Sequence, residues 1–498
     1  MSSEIASAVD PEKVKVTFSG VQVEKCAADS YSKDTISSLA QDDEDRDADF
    51  GGTEARRRLE KRFLLKLDLR MSIMVVIYIL NYIDRNNAGA ARLRGFEEDL
   101  GLTGQQFPTL LSILYVGYII MQVPSNMFLN WIGKPSLYLP FCMVVWGAIS
   151  CFTGSFVGAL LTRFFLGFVE AAFFPGALFL LSKWYKREEL GLRTAILYCG
   201  NIISNAFGSL MASGILNGME GKLGHAAWRW LFFIEGAITI AVAIIAIFVL
   251  PDFPTTSRWL SPQERALAIR RMEEDAGIGD ENQTEDGGNG LLLAVLDWRV
   301  WWIALALTSQ VVALSFNAYF PTLTATLGYN RTVTLLLCAP PFAFSAIVSF
   351  CTCRHSDRVQ ERFYHIAGSF GVGIVGFIIA IATMNTAARY ISLFLMAQSY
   401  AGFVVLFAWI SNSFPRPPSK RAVALALINA TSQLGNIAGS YVWPLGWGPT
   451  YRFSYVICIS CSGVSILLCW AFKLHLVRLN EGLEKSEGGG RKGFRYIV

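Results

Sequence analysis

Apolar residues in this chain fall into long unbroken runs, not at the three- and four-residue intervals of a surface helix. Twelve such runs lie near 66–88, 107–129, 135–153, 156–182, 193–216, 230–250, 297–320, 333–352, 365–384, 390–412, 423–446 and 453–474. Each is long enough as a helix to cross about 30 Å of hydrocarbon. The pattern predicts an all-α polytopic membrane protein of twelve transmembrane helices in two six-helix bundles. A polar bridge, 251–296, separates residues 63–250 from residues 297–476. The ends, 1–62 and 477–498, read as tails; the first is Ser- and Asp-rich, acidic near Asp42–Asp49, and suited to disorder. It has no early apolar core of the kind a cleaved signal peptide needs, so the first span acts as its own signal.

Positive charge sets the expected orientation. Lysines and arginines crowd before span one (Arg56, Arg57, Arg58, Lys61, Arg62, Lys66), after span four (Lys183, Lys186, Arg187) and in the central bridge (Arg265, Arg270, Arg271). They recur after span eight (Arg354, Arg358, Arg362) and after span ten (Arg416, Lys420, Arg421). The alternate loops are poor in them, except the first, which carries Arg92 and Arg94. Both termini are therefore expected in the cytoplasm. The basic stretch Glu54–Arg70 reads as a topology signal more readily than as an interfacial amphipathic helix. Of three Asn-x-Thr triplets, only Asn330-Arg-Thr332 falls in an outer loop, so at most that one could accept a glycan.

Composition changes the picture by exclusion. Hydrophobic residues make up 53% of the 498, and only 16% are charged, against about 25% in an ordinary soluble domain. The dispersed basic residues argue against nucleic-acid binding. The ten cysteines lie mostly inside apolar runs and form no disulfide framework or metal-spaced pairs. Four scattered histidines make no metal cluster, and no Gly-x-x-x-x-Gly-Lys-[Ser/Thr] loop is present to hold ATP. No metal, cofactor or enzymatic chemistry is expected.

Against that background a few charges stand inside the spans. A charged side chain at mid-bilayer costs about 2.5–3.5 kcal/mol on insertion scales, and usually marks a solute path. Span one ends Asn81-Tyr82-Ile83-Asp84-Arg85, which places Asn81, Asp84 and Arg85 on one helical face. Span four holds Arg163 and Glu170, two turns apart around Gly167. Two acids and two guanidiniums could nearly neutralise one another as a packing network. Alternatively, the arginines can grip a carboxylate with paired hydrogen bonds while a desolvated acid carries a proton. The second set of spans offers amides, hydroxyls and aromatics instead: Asn317, Trp409, Ser411, Asn412, Asn429, Gln433, Asn436 and Tyr441. Charge recognition is thus expected in the amino-terminal half and neutral selection in the carboxy-terminal half. Gly117, Gly167, Pro124, Pro175-Gly176 and Pro340-Pro341 mark close packing or bends.

Several motifs, in order from Leu67 to Lys473, resemble the major facilitator superfamily, in its anion:cation symporter branch. They are Asn81-Tyr-Ile-Asp-Arg85, Tyr118 with Gln122-Val-Pro-Ser-Asn126, and Arg163-x-x-x-Gly-x-x-Glu170-x-x-x-x-Pro-Gly176. Trp184-Tyr185, Trp228-Arg-Trp-Leu-Phe-Phe-Ile-Glu235-Gly236, Leu250-Pro-Asp-Phe-Pro254 and Trp259-Leu-Ser-Pro-Gln-Glu-Arg265 follow. Together they look like the fungal allantoate permease family, which takes up nicotinate, allantoate and vitamin-like acids. The resemblance implies a proton-coupled importer of a small organic carboxylate, working as a monomer, in the plasma membrane. It implies Arg85 and Arg163 as substrate contacts with Tyr118 and Gln122, and Asp84 and Glu170 as proton-coupling carboxylates. Trp409, Asn412, Asn429 and Gln433 would complete the substrate site from the second half. Asp357, Arg358 and Arg362 match the gating loop motif, and Glu235 matches a structural signature. The equivalent loop after span two, Asn130-Trp-Ile-Gly-Lys134, departs from the gating motif. Efflux of a secondary metabolite or toxin is the alternative on the same fold; a nutrient receptor is a weaker one.

Overall fold

The computed structural model describes residues 48–152, 155–257, 259–280, 290–414, 418–486 and 496; the side chains of some helical residues, Asn412 among them, lie outside the description. Its contacts divide the chain into two units, 1–66 and 67–498. Among the described residues every regular element is a helix. The first six predicted spans correspond to α1 (Thr53–Ala91), α2 (Gln106–Ile132), α3 (Pro135–Ser150), α4 and α5 (Phe156–Glu170 and Phe173–Trp184), α6 (Arg187–Gly218) and α7 (Ala227–Val249). A polar helix, α8 (Pro262–Asp280), lies in the bridge. The last six correspond to α9 (Trp298–Ala313), α10 (Arg331–Val359), α11 (Phe363–Ala382), α12 and α13 (Thr386–Gln398 and Tyr400–Ser413), α14 (Pro418–Ser440) and α15 (Arg452–Ser486). Among the described residues, seven helical segments are long and apolar enough to cross a membrane on that basis alone, and the apolar stretches Gln106–Gln122 and Pro135–Ser150 are shorter.

Local chemistry explains the boundaries. The bridge, expected to be a charged connector, is helical over α8 because Ser261-Pro-Gln-Glu264 forms a reciprocal capping box. Glu264 N donates to Ser261 Oγ at 3.2 Å and Ser261 N donates to Glu264 Oε2 at 3.1 Å, which satisfies two otherwise orphaned donors. Asp297 starts α9 by accepting from Arg299 N at 3.0 Å. Span eleven ends at Ser440, six residues before the apolar run does, ahead of Pro444. The last helix runs to Ser486, through much of what reads as a tail in sequence.

Close crossings hold the amino-terminal helices together, and glycine is what permits them. A Cβ on Gly167 of α4 would lie 1.9 Å from Leu114 O on α2, and one on Gly117 of α2 would lie 2.2 Å from Phe164 O on α4. Gly147 of α3 and Gly236 of α7 approach each other's carbonyl oxygens in the same reciprocal way, at 3.0 and 2.5 Å. Small residues at such crossings let van der Waals packing replace the hydrophobic drive that lipid removes. Between the halves, α6 packs on α10 and α2 packs on α14.

Three spans are broken near the middle of the molecule. The fourth breaks at Ala171–Ala172, the seventh passes through a 3-10 turn, Leu314–Asn317, and the tenth breaks at Ser399. Each break or its flank contributes to one internal cavity, through Phe174, through Ser315 with Asn317, and through Tyr400. Irregular backbone at membrane depth is tolerated where it lines such a space.

Candidate functional site

The cavity lies between the two halves and has a volume of about 110 Å³. Helices α1, α2, α4, α5 and α6 line one side, and α9, α13 and α14 the other. The charged residues on its wall are Arg85 and Arg163. The opposite wall is uncharged, with polar Ser315, Asn317, Asn429, Ser432, Gln433, Asn436 and Ser440 beside apolar Val311, Leu314 and Phe403.

Arg85 projects from the end of α1 into a ring of tyrosines. Its Cζ lies 4.8 Å from the ring centre of Tyr82, 4.9 Å from Tyr118 and 5.8 Å from Tyr115. Its Nε and Nη2 both donate to Glu170 Oε2, at 3.1 and 2.9 Å, and Nη2 also reaches Asn81 Oδ1 at 3.4 Å. Both partners of this ion pair are buried. The aromatic faces and the carboxylate together compensate the desolvated guanidinium.

Arg163 is held differently. Nη1 donates to the backbone carbonyls of Asp84 and Arg85, at 3.3 and 3.0 Å, and Nη2 to Asn87 Oδ1 at 2.6 Å. Its face meets Phe232 at 5.6 Å. All three acceptors are neutral. Asn87 in turn donates from Nδ2 to Glu235 Oε2 at 2.9 Å.

Two expectations need correcting here. Arg163 and Glu170 do not pair directly, because they stand about 10.5 Å apart along one helix axis and take separate hydrogen-bond partners. Nor does Asp84 share a face with Arg85. One residue is a 100° rotation, and Asp84 turns towards α3 and α7, where Trp146 Nε1 and Thr239 Oγ1 donate to its Oδ2 at 3.2 and 2.9 Å.

Of the other residues singled out in sequence, Tyr118, Asn429 and Gln433 line the cavity; Gln122 and Trp409 do not. Trp409 is fully buried in the core of the second half, with its ring 5.3 Å from Phe472. It belongs to packing, because a large indole fills the inside of a bundle where the cavity does not reach. Asn412 lies outside the described side chains. Asn429, Gln433 and Asn436 form a ladder on one face of α14: Gln433 Nε2 donates to Asn429 Oδ1 at 3.5 Å, and Asn436 Nδ2 to Gln433 Oε1 at 2.9 Å. In the loop motif, Arg362 Nη1 pairs with Asp357 Oδ1 at 2.6 Å and donates to Ser356 Oγ at 3.1 Å, while Arg358 is exposed. Sequence reading missed Tyr78, Tyr115, Tyr198 and Tyr400, all on the cavity wall. The signal was present, since tyrosine is an unusual choice for the middle of an apolar span.

At the end of the cavity towards Arg92 the halves touch. Phe107 and Tyr319 meet edge to face at 6.0 Å, with Arg92 4.4 Å from Phe107 and 5.6 Å from Tyr319. Tyr441 OH lies 3.1 Å from Thr109 Oγ1 and 3.3 Å from Ser112 Oγ. Ser213 Oγ donates to Thr332 O at 3.2 Å. These contacts cross from α2, α6 and the turn after α1 to the second half.

A cavity between two six-helix halves, walled by broken helices, is the arrangement of a solute carrier. Residues 74–440 match the family model of the Major Facilitator Superfamily. The chain belongs to that superfamily. The superfamily transporter cnsO of Penicillium expansum is 31% identical to it over 447 residues, 86% of this chain and 85% of that protein. The major facilitator-type transporter hxnP of Emericella nidulans is 29% identical over 453 residues, covering 87% and 88%. A candidate tartrate transporter of Agrobacterium vitis is 30% identical over 395 residues, covering 78% and 88%. Among solved structures, the crystal structure of a D-xylose-proton symporter superposes with a TM-score of 0.64 at 16% identity, covering 82% of this chain and 97% of that one. A bacterial homologue of the human lysosomal transporter Spinster, inward-facing and unoccupied, gives 0.61 at 16% identity, covering 82% and 98%. This major facilitator chain is a multi-pass membrane transporter, and its relatives and fold are those of transporters, not enzymes.

Proposed function

We propose that this transporter carries a small organic carboxylate together with protons, by alternating access, as the allantoate permease branch does. One observation supports the reading above others: Arg163 reaches the cavity wall with its hydrogen bonds spent on neutral acceptors. A buried guanidinium without a carboxylate of its own favours an incoming anion, and its planar fork suits two carboxylate oxygens. The candidate tartrate carrier among its relatives fits the same class of solute.

In this reading the carboxylate docks on Arg163, and on Arg85 once Glu170 takes a proton and loosens the Arg85–Glu170 pair. Asp84 serves as the second protonatable carboxyl, held behind the site by Trp146 and Thr239. The tyrosine ring and the Asn429–Gln433–Asn436 ladder select the rest of the molecule. Proton and anion each favour the state the other favours, which is the condition for coupled movement. The distribution of lysine and arginine supports both termini inside, and the branch resemblance supports import across the plasma membrane. A single copy suffices, because both walls of the cavity come from one chain.

The test is uptake by cells expressing the full chain of radiolabelled nicotinate, allantoate, pantothenate, biotin and a dipeptide, at pH 5 and pH 7.5. One carboxylate should enter several times faster at pH 5, and a protonophore should abolish the difference. If no carboxylate enters, or if entry ignores both pH and protonophore, the proposal fails.

A further inference from the structure

We infer that Glu235 is a positioning residue for the anion-binding guanidinium, acting through Asn87, and that a proton on Glu235 loosens Arg163 at the cavity wall. The inference rests on the reading of Arg163 as the anion contact. It begins from two hydrogen bonds that share one amide. Arg163 Nη2 donates to Asn87 Oδ1 at 2.6 Å, and Asn87 Nδ2 donates to Glu235 Oε2 at 2.9 Å.

The chemistry fixes the direction of that amide. A guanidinium has donors only, so the Asn87 oxygen must face Arg163. An ionised carboxylate has acceptors only, so the Asn87 nitrogen must face Glu235. Each end of the amide therefore confirms the other, and charge on Glu235 polarises the Asn87 oxygen towards Arg163. A protonated Glu235 carries a donor as well. Its carbonyl oxygen can still accept from Asn87 Nδ2 and Arg163 still fixes the amide's direction, but the charge that polarised the Asn87 oxygen is gone, and the hold on Arg163 weakens.

Position supports a role beyond packing. Asn87 and Glu235 are both buried, on α1 and α7, and Glu235 makes no ion pair among the described residues. Burying a carboxyl against a single neutral donor is an expensive way to join two helices that apolar side chains would join better. The elements packed on α7 bring the following charged and titratable groups, with Arg92 and Arg94 on the turn after α1 among them. Asp84 on α1 and Arg163 on α4 act on it electrostatically. Cys151, just after α3, stands beside Gly236, 3.0 Å from where that residue's Cβ would be. Asp99 meets α7 at Trp228, accepting from its Nε1 at 2.7 Å, two turns from Glu235. On α6, which also packs on α7, no acid or base occurs between Gly200 and Gly218.

The relay thus offers a second place where a proton can loosen an arginine. Glu170 acts directly on Arg85, and Glu235 acts on Arg163 at one remove. Glu170 lies on α4 and Glu235 on α7.

The test reads Arg163 itself and needs no transported solute. Full-length protein in detergent is treated with phenylglyoxal, and modification of Arg163 is followed by peptide mass spectrometry against exposed Arg358 as the reagent control. Arg163 should be modified at least threefold faster in Glu235→Gln than in wild type, whereas Arg85 should keep its rate. Asn87→Ala should give the same rise, and the Glu235→Gln/Asn87→Ala double variant should add nothing further. In wild type the ratio of Arg163 to Arg358 modification should fall as pH is raised from 6.5 to 9, and in Glu235→Gln it should be flat. Should Glu235→Gln not fold, Asn87→Ala carries the same two readouts. An unchanged Arg163 rate in a folded variant, or a pH slope that survives the substitution, overturns the inference. Failed uptake of the carboxylate panel would leave these rates untouched and would count only against the transport reading.

Discussion

Arg85 Nη2 lies 2.9 Å from Glu170 Oε2, a buried ion pair that ties α1 to α4 across 85 positions of sequence. Its consequence is asymmetric. Removing one partner strands a charge in the interior, at about 3–5 kcal/mol, whereas replacing both by apolar side chains is often close to neutral. Arg85→Leu alone should therefore unfold far more readily in detergent than wild type, and Arg85→Leu/Glu170→Leu should recover most of the loss. A double variant no more stable than the single one would show that the loss does not come from a stranded Glu170 charge.

Arg163→Lys keeps the charge and discards the fork. Lysine's ammonium cannot span the Asp84 and Arg85 carbonyls, Asn87 and two carboxylate oxygens at once. Uptake of the transported carboxylate, normalised to surface expression, should fall at least about tenfold, the equivalent of about 1.4 kcal/mol. Near-normal uptake would argue against a bidentate grip.

The α2–α4 crossing tolerates no added carbon. Gly167→Ala places a Cβ against the Leu114 carbonyl, a backbone atom that cannot move aside as a side-chain tip can. Overpacking of this kind costs about 1–3 kcal/mol or more. Monodisperse yield on size-exclusion chromatography should drop sharply for Gly167→Ala and for Gly117→Ala. Gly214→Ala, whose Cβ would meet nothing within 4 Å, should behave as wild type.

Asp297 binds the start of α9 to α14. Burial disfavours its charge, but hydrogen bonds from Arg299 and from Lys420 Nζ, the latter at 2.7 Å, outweigh that and hold its carboxyl down at about 2. An unfolded aspartate titrates near about 3.9. The folded-state value is the lower one, so Asp297 stabilises the fold fully above about pH 4 and loses that contribution as pH falls through about 2. Asp297→Asn should be the less stable protein at neutral pH. The gap in thermal midpoint between the two should close between about pH 4 and 2. A gap independent of pH would show that the carboxylate's charge is not what matters.

The particulars show how much of this was legible in advance. Long apolar runs gave the helices, because a chain in lipid must satisfy its backbone internally. The capping box at Ser261 lies in four consecutive residues, but reading 251–296 as a polar bridge passed over it. Arg85, Arg163, Asn429 and Gln433 could be picked out because a polar group in such a run is costly and therefore conspicuous, whereas Tyr118 came from the family resemblance. Trp409 could not be placed, since an indole suits a cavity wall and a core equally well until the rotation of α13 is known. Asp84 and Arg85 were adjacent in the chain and parted in the fold for the same reason.

Sequence alone thus determined the membrane class, the helical periods and the residue types available for chemistry, all of which depend on neighbours a few positions away. Tertiary structure decided the partnerships: Glu170 to Arg85, Asn87 between Arg163 and Glu235, and Asp84 with Trp146 and Thr239. Those depend on how each helix is rotated and how closely glycines let its neighbours approach. Such quantities are set by packing across distant segments, so no local pattern encodes them.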